Sequence, residues 1–343
     1  MNQLPIGQLL FIGIKGPEID QETRELLTSI QPGGIVLFKR NLQTVEQIQS
    51  LIQHIKSLYE PHPFIAIDQE GGRVQRLLGI LPSIPPPLEL AKCAVKKIRM
   101  ITRAIAQILW HLGINLNFFP VLDVLYQNKN NLIGDRSLSS DWKKITTIAG
   151  YIISEHLRSG IYCCGKHFPG LGFTDVDSHQ SLPVCSLSKE ELCMNDLSPY
   201  KFLKNKLAFI MVGHCHYQNL APDQISSLSS TIITDLLIKD LEFKHIIITD
   251  DLEMGAITDT IEPEQAVLRA LLAGAHTAML CHRYDRMERA YTFLTRQCTT
   301  DQKTSRILEQ KIHALLAFKK KPLKPKLQVP PFSTLIPHLT SLL

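Results

Sequence analysis

The chain of 343 residues has 20% charged and 44% hydrophobic residues and no low-complexity block, a balance that excludes a disordered or fibrous protein and suffices for a sizeable core. Its formal net charge of +5 is matched by five lysines gathered near the C-terminus (Lys319, Lys320, Lys321, Lys324 and Lys326), so the body is formally neutral and offers no basic face for nucleic acid. No stretch approaches the roughly 20 apolar residues of a membrane helix, residues 1–16 lack the features of a secretory signal, and the cysteines form neither CxxC pairs nor a compact disulfide framework, which together point to a reduced, cytoplasmic protein with no membrane partner.

Short apolar runs recur at residues 9–14, 34–38, 63–67, 116–122, 161–164, 208–212, 246–248 and 277–280, each followed by a polar or glycine-rich stretch and then a segment of helical period. Continuous apolar character, rather than alternation, suits parallel strands buried on both faces. Between the second and third runs, Leu42, Val45, Ile48, Leu51, Ile52, Ile55 and Tyr59 recur at intervals of three and four and predict an amphipathic helix. Pro263, Ala266, Val267, Ala270 and Leu271, with Gly274 beyond, predict another. Strand–helix units repeated eight times in an α/β chain of this length favour a closed (β/α)8 TIM barrel over an open doubly wound sheet. Residues 301–320 read as an extra helix, so a single barrel domain is expected over 1–320, followed by a solvated, irregular or loosely packed Pro/Lys-rich tail at 321–343.

A barrel keeps its chemistry at the carboxyl ends of its strands, and the ionisable residues collect there. Asp68 follows the third run, Asp123 the fourth, Lys166 and His167 the fifth, His214 and His216 the sixth, and Asp250 and Asp251 the seventh. The long loops 69–87, 125–140 and 169–187 fall on the same side, where binding loops belong. Asp177-Ser178-His179 lies on the last of them. A strand-end carboxylate opposite a loop-borne histidine that is paired with its own carboxylate suits double-displacement glycoside hydrolysis. Asp250 would attack the anomeric carbon; His179, oriented and kept protonated by Asp177, would protonate the leaving oxygen and then draw a proton from water. Asp68, Arg76, Arg136, Lys166 and His167 are candidate binders of sugar hydroxyl and acyl-amide groups. Plainer roles stand beside these: a cap or ion pair for Asp68, a loop salt bridge for Arg136, a loop-stabilising pair for Asp177 and His179, a structural carboxylate for Asp250, and pocket support for His214 and His216.

Taken together, Asp68-Gln69-Glu70-Gly71-Gly72-Arg73-Val74-Gln75-Arg76, Gly134-Asp135-Arg136-Ser137, Lys166-His167-Phe168-Pro169-Gly170-Leu171-Gly172, Asp177-Ser178-His179 and Thr249-Asp250-Asp251-Leu252-Glu253-Met254 closely resemble glycoside hydrolase family 3, and within it the single-domain bacterial β-N-acetylhexosaminidases of peptidoglycan recycling. The resemblance runs in order from about Gln8 to about His282. It implies a retaining mechanism without metal or organic cofactor, with Asp250 as nucleophile, His179 as acid/base, Asp177 as its partner, and Asp68, Arg76, Arg136, Lys166 and His167 as sugar-binding residues. The implied reaction removes non-reducing terminal β-linked N-acetylglucosamine from anhydromuropeptides in the cytoplasm, by a monomer. Two departures stand out: Leu171, where relatives commonly carry histidine, touches the hydrogen bonding of the loop with His179, and His276, where an acidic residue is frequent, touches barrel closure at the last strand. Three rival readings remain: a phosphorylase on the same scaffold, a metal-dependent hydrolase using His214 and His216 with Asp250 or Asp251, and a barrel that binds muropeptides without turnover.

Overall fold

A computed structural model describes residues 4–126, 133–174 and 182–343. Eight parallel strands close into a barrel: β1 (Leu10–Gly13), β2 (Gly34–Leu37), β3 (Phe64–Ile67), β4 (Leu116–Asn117), β5 (Tyr162–Phe168), β6 (Phe209–Val212), β7 (Ile246–Asp251) and β8 (Thr277–Leu280). Each pairs with its neighbours in chain order, and β8 returns to β1 with Ala278 opposite Leu10. Every one of the eight apolar runs is a barrel strand, and the expected (β/α)8 architecture is the one adopted. Two strands run further than their apolar residues: β5 continues through Lys166 and His167, and β7 through Asp250 and Asp251. The fourth run is shorter, because Pro120 has no N–H to give the ladder; Val121 rejoins the sheet only as a bridge to Lys166.

The unbroken apolar runs follow from two cores sharing each strand. Ile12, Ile35, Ile67, Ile210, Ile247 and Leu280 pack into the layer between barrel and helices, while the alternate residues Phe11, Val36, Ala66, Phe209, Ile248 and Met279 form a separate cluster inside the barrel. Cys163 and Cys164 divide in the same way, one to each core, as free thiols. The amino end of the barrel is filled by aromatic rings: Phe64 lies 6.0 Å from Phe11 and 5.3 Å from Phe209, centroid to centroid, and Phe318 closes over Phe209 at 5.7 Å. The space left for a ligand inside the barrel is at the carboxyl end.

The helices obey ordinary start and stop rules. The predicted first amphipathic helix spans Val45–Leu58, buries Ile48, Leu51, Ile52 and Ile55, and is capped by Thr44, whose hydroxyl accepts from Gln47 N. The second spans Pro263–Ala273 with proline at its start and Gly274 beyond its end. Helices Val95–Leu112 and Trp142–Arg158 are clamped by the buried Glu155, which accepts from Arg99 Nε and Arg103 Nε at 2.8 and 2.7 Å. At the seam between β7 and β8, His276 donates its backbone N–H to Ile247 O and accepts Ile247 N at Nδ1, 3.1 Å away. Burial lowers this imidazole to about 3, which keeps Nδ1 free to accept. Histidine at this position therefore closes the barrel through neutral hydrogen bonds.

The tail corrects the expectation made for it. Residues 302–319 form the extra helix, Gln302–Lys319, as predicted, but the remainder is not irregular throughout: Phe332–Leu342 is a helix that packs on Val95–Leu112 and buries Leu335 and Leu339. Phe332, Leu335, Ile336, Leu339 and Leu342 recur at intervals of three and four, a signal hidden by the Pro/Lys-rich stretch before it. Lys326 N donates to Arg158 O at 2.8 Å, fastening that stretch as well. Lys319, grouped by sequence with the solvated lysines, instead turns inward and donates to Gln8 Oε1 at 2.7 Å. No helix among the described residues is long and apolar enough to cross a membrane. Because Leu339 is fully buried, Leu339→Ala is expected to lower unfolding free energy by about 2–4 kcal/mol. Chemical denaturation measures this, and a change within about 0.5 kcal/mol, the range of surface substitutions, would show that the last helix is not part of the folded body.

Candidate active site

The third strand delivers the first group of charges. Asp68 and Glu70 flank Gln69, whose backbone is held in place by Asn117: Asn117 Oδ1 accepts Gln69 N at 3.0 Å, and Nδ2 donates to Gln69 O at 3.1 Å and to His156 Nε2 at 3.1 Å. Burial lowers His156 to about 4, so its neutral ring can accept at Nε2 while Nδ1 donates to Ile152 O. With Gln69 fixed, both carboxylates reach the ammonium of Lys166 on β5, Asp68 Oδ1 at 2.7 Å and Glu70 Oε1 at 2.6 Å. Arg136 grips the far side of Glu70 with two bonds, Nε to Oε2 and Nη2 to Oε1, each 2.9 Å. Arg76 Nη2 stands 3.4 Å from Asp68 Oδ2, and its Nε is buried with no hydrogen-bond partner among the described residues.

Burial alone would raise the carboxyl pKa values of Asp68 and Glu70, but Lys166 and Arg76 around Asp68, and Arg136 and Lys166 around Glu70, hold both below the usual range. Burial would likewise lower Lys166, yet Asp68 and Glu70 outweigh it and raise it. The cluster is therefore fully ionised, with Asp68 presenting an acceptor and Arg76 a donor.

His167 is set by Asp123. Its Nδ1 lies 2.7 Å from Asp123 Oδ2, its backbone N–H points at the same carboxylate, and Leu171 N donates to Asp123 Oδ1 at 2.8 Å. One buried carboxylate thus orients the imidazole and ties down the following loop. The side chain of Leu171 is buried beside Gly213, so at this departure from the family pattern a main-chain N–H makes the anchoring bond and the side chain packs. Gly172 is needed because a Cβ there would meet Val124 O at 1.8 Å, and Gly170, at φ +143°, lies against Asp196. Asp196, pushed by burial to about 7, receives the Tyr126 hydroxyl at 2.7 Å under this turn.

The seventh strand supplies the remaining carboxylates. Burial would raise the pKa of Asp250, but His167, His214, the Asp251 N–H and Lys166 together hold it below the usual range. Asp251 N donates to Asp250 Oδ1 at 2.8 Å, so one carboxylate oxygen is directed and the other left open. Asp251 itself faces away from this role: its carbonyl accepts from His214 Nε2 at 2.9 Å, and its Oδ2 lies 3.2 Å from His282 Nε2 on the loop after β8. The bond to Asp251 raises the His282 imidazole against the effect of burial. His214 Nδ1 is also taken, by Ser227 Oγ at 2.7 Å, and His216 Nε2 bonds Pro222 O at 2.6 Å. Both histidines thus bond within the connection that follows β6, His214 also reaching β7, and no group of three or more His, Cys, Asp or Glu among the described residues is disposed to hold a metal ion.

These elements enclose a cavity of about 330 Å³ at the carboxyl end of the barrel, floored by Val36, Met211 and Met279. Asp68, Arg76, Arg136, Lys166, His167 and Asp250 all line it, so the structure brings together six of the eight candidate residues. The other two, Asp177 and His179, lie outside the described residues. Thr174 and Pro183, which bracket them in sequence, line the cavity. Sequence reasoning placed Asp123 at a strand end without giving it a role, and missed Glu70 and His282. A buried lysine beside one carboxylate and near two arginines signals a further anion, and Glu70, two residues from Asp68, was the nearest supply. His282 gave no such signal, since its position depends on how β8 meets β7.

The family model described as Glycosyl hydrolase family 3 N terminal domain matches residues 2–315. A Beta-hexosaminidase of Idiomarina loihiensis is 34% identical over 280 residues, covering 80% of this chain and 83% of that protein. Native NagZ from Neisseria gonorrhoeae superposes with a TM-score of 0.78 at 28% identity, over 97% of each chain. A fungal multi-domain GH3 beta-N-acetylglucosaminidase superposes with a TM-score of 0.91 at 30% identity; all of this chain is covered, and it spans 43% of that longer one. The motifs, the barrel and a family match across most of the sequence agree, and the chain belongs to glycosyl hydrolase family 3.

Proposed function

We propose that this glycoside hydrolase is a retaining exo-β-N-acetylglucosaminidase that removes non-reducing terminal N-acetylglucosamine from peptidoglycan fragments, the anhydromuropeptides of cell-wall recycling, working in the cytoplasm as a monomer without cofactor. The observation that carries this reading is Asp250: an ionised carboxylate with one open oxygen, at the wall of a closed-ended cavity near the lower size limit of small-molecule sites and lined by paired donors and acceptors. The names of the relatives support the hexosaminide class, and the peptidoglycan origin follows the motif resemblance.

In this reading Asp68 accepts from sugar hydroxyls, Arg76 and Lys166 donate to them, and Arg136 and His167 hold the acetamido side. Asp250 attacks C1; the glycosidic electron pair leaves with the aglycone oxygen, which takes a proton from the His179 imidazolium. Water then adds to C1 of the glycosyl ester, giving its proton to the neutral imidazole and releasing the Asp250 carboxylate. Asp177 positions the ring of His179. Lys166 and His167 near Asp250 favour its ionised form both before attack and as the ester breaks.

Asp250→Asn is expected to lower kcat by about 10⁴-fold or more while leaving the circular dichroism and melting temperature of the folded protein in place. Release of free N-acetylglucosamine from a β-N-acetylglucosaminide in phosphate-free buffer tests the reaction; dependence on phosphate, with sugar phosphate as product, would assign a phosphorylase. His179→Ala is expected to lose about 10²–10⁴-fold on a natural disaccharide and much less on an activated aryl glycoside, whose leaving group needs no proton. Equal losses on the two substrates would remove His179 from the acid role. The pH profile has a definite sign. Asp250, lowered in the folded protein, remains ionised below the ordinary aspartate value, so the acid limb of kcat/KM is expected below about pH 4, and the alkaline limb, from loss of the imidazolium, above about pH 6.5. An acid limb near neutrality would point to a nucleophile other than Asp250.

A further inference from the structure

At the amino end of the barrel, opposite the candidate active site, a second cavity of about 300 Å³ lies between the start of β3 and the end of helix Gln302–Lys319. Phe64, Tyr162 and Phe318 line it, with ring centroids 6.1 Å apart for Phe64–Tyr162, 5.1 Å for Tyr162–Phe318 and 6.1 Å for Phe64–Phe318. Lys56 and Lys319 line it too. Lys319 Nζ stands 5.4 Å from the Phe64 centroid and donates to the neutral Gln8 Oε1, while Lys56 Nζ donates to Gly113 O at 3.4 Å; among the described residues neither meets a carboxylate.

Among the described residues no acidic side chain lines this cavity; Glu60, next to Pro61 in its wall, is exposed and stands 3.8 Å from His62. Burial lowers both ammonium groups, Lys319 to about 7, and no carboxylate opposes the effect. Packing of the lysine stem on Phe64 accounts for the methylenes of Lys319 but not for turning its charged end inward, since a stem at a helix end can as readily leave its head in water. At the other end of the barrel the buried ammonium of Lys166 is met by two carboxylates, Asp68 and Glu70. Here two cations face rings and prolines, with Pro322 of the tail as one wall.

We infer that this cavity binds a small organic carboxylate with a flat apolar body, the carboxylate taken by Lys319 and Lys56 and the body lying against Tyr162 and Phe318. The tail is part of the site: Tyr162 donates its hydroxyl to Lys321 O at 3.0 Å, which holds the wall formed by Pro322. The ligand supplies the negative charge that the protein lacks at this end, and the three rings set its planar shape.

Benzoate is the probe, titrated against the full-length protein by ligand-observed NMR and by thermal shift. Saturable binding with a rise in melting temperature is expected. Lys319→Met and Lys56→Met are each expected to weaken it by about tenfold or more, the loss of one charge-assisted bond, while turnover of an aryl N-acetylglucosaminide is unchanged because neither lysine lines the carboxyl-end cavity. Absence of saturable benzoate binding to the wild type would overturn the inference, as would equal affinity in both variants, which would place benzoate among the active-site cations. Binding of inorganic phosphate but not benzoate would also overturn it, showing an anion site with no place for an apolar body. Should one variant fail to fold, the affinity of the other decides between these outcomes.

Discussion

Lys166 is the group around which the active-site end of this barrel is organised. Its ammonium is almost wholly removed from water, which costs several kcal/mol unless opposite charges replace the lost hydration. Asp68 and Glu70 replace it, and Glu70 in turn holds Arg136 by a two-pronged bond, so strands three and five and the loop after strand four are locked together by charges that none of them could bury alone. Removing any member leaves a neighbour with one opposite charge fewer at low dielectric. The polarity of the cavity is therefore not a lining added to the barrel but a condition for its walls to stay where they are.

The same constraint explains the division of labour along the barrel axis. One end is filled by Phe11, Phe64 and Phe209, which pack on one another inside the barrel and need no polar partners. At the other end the strands run past their apolar residues into Lys166, His167, Asp250 and Asp251; Lys166, His167 and Asp251 are met by residues of other strands or loops, and Asp250 by the N–H of the next residue on its own strand. The hydrophobic core determines where the strands lie, and ionic and hydrogen-bonded contacts determine how far they extend as strands. Asp250 shows the outcome: a carboxylate withdrawn from solvent yet kept ionised by His167, His214, a main-chain N–H and Lys166.

The tail and the anion cavity show that composition can mislead locally. A cluster of lysines read as a solvated appendage resolves into one residue that turns inward, Lys319, and a helix that completes the cover over Val95–Leu112. Net charge describes the long-range field of the surface; it carries no information about which individual ammonium is buried. A periodic apolar stripe of five residues was the better guide at Phe332–Leu342, since burial of one helical face follows period and not mean polarity.

Much of the architecture was legible without coordinates because it depends on local pattern. Apolar runs of strand length alternating with amphipathic segments specify a parallel barrel, and capping residues such as Thr44, Pro263 and Gly274 specify where helices start and stop. The six described candidate residues were legible as well, since a barrel gathers strand-end side chains at one mouth whatever their separation along the chain. What tertiary structure alone decided was pairing: that Glu70 rather than Asp68 takes Arg136, that Asp123 holds both His167 and Leu171, that His282 meets Asp251, and that His276 joins β7 to β8. Period and propensity act over a few residues of chain, whereas these contacts are between residues distant in sequence, and their existence depends on the distances that the closed barrel imposes.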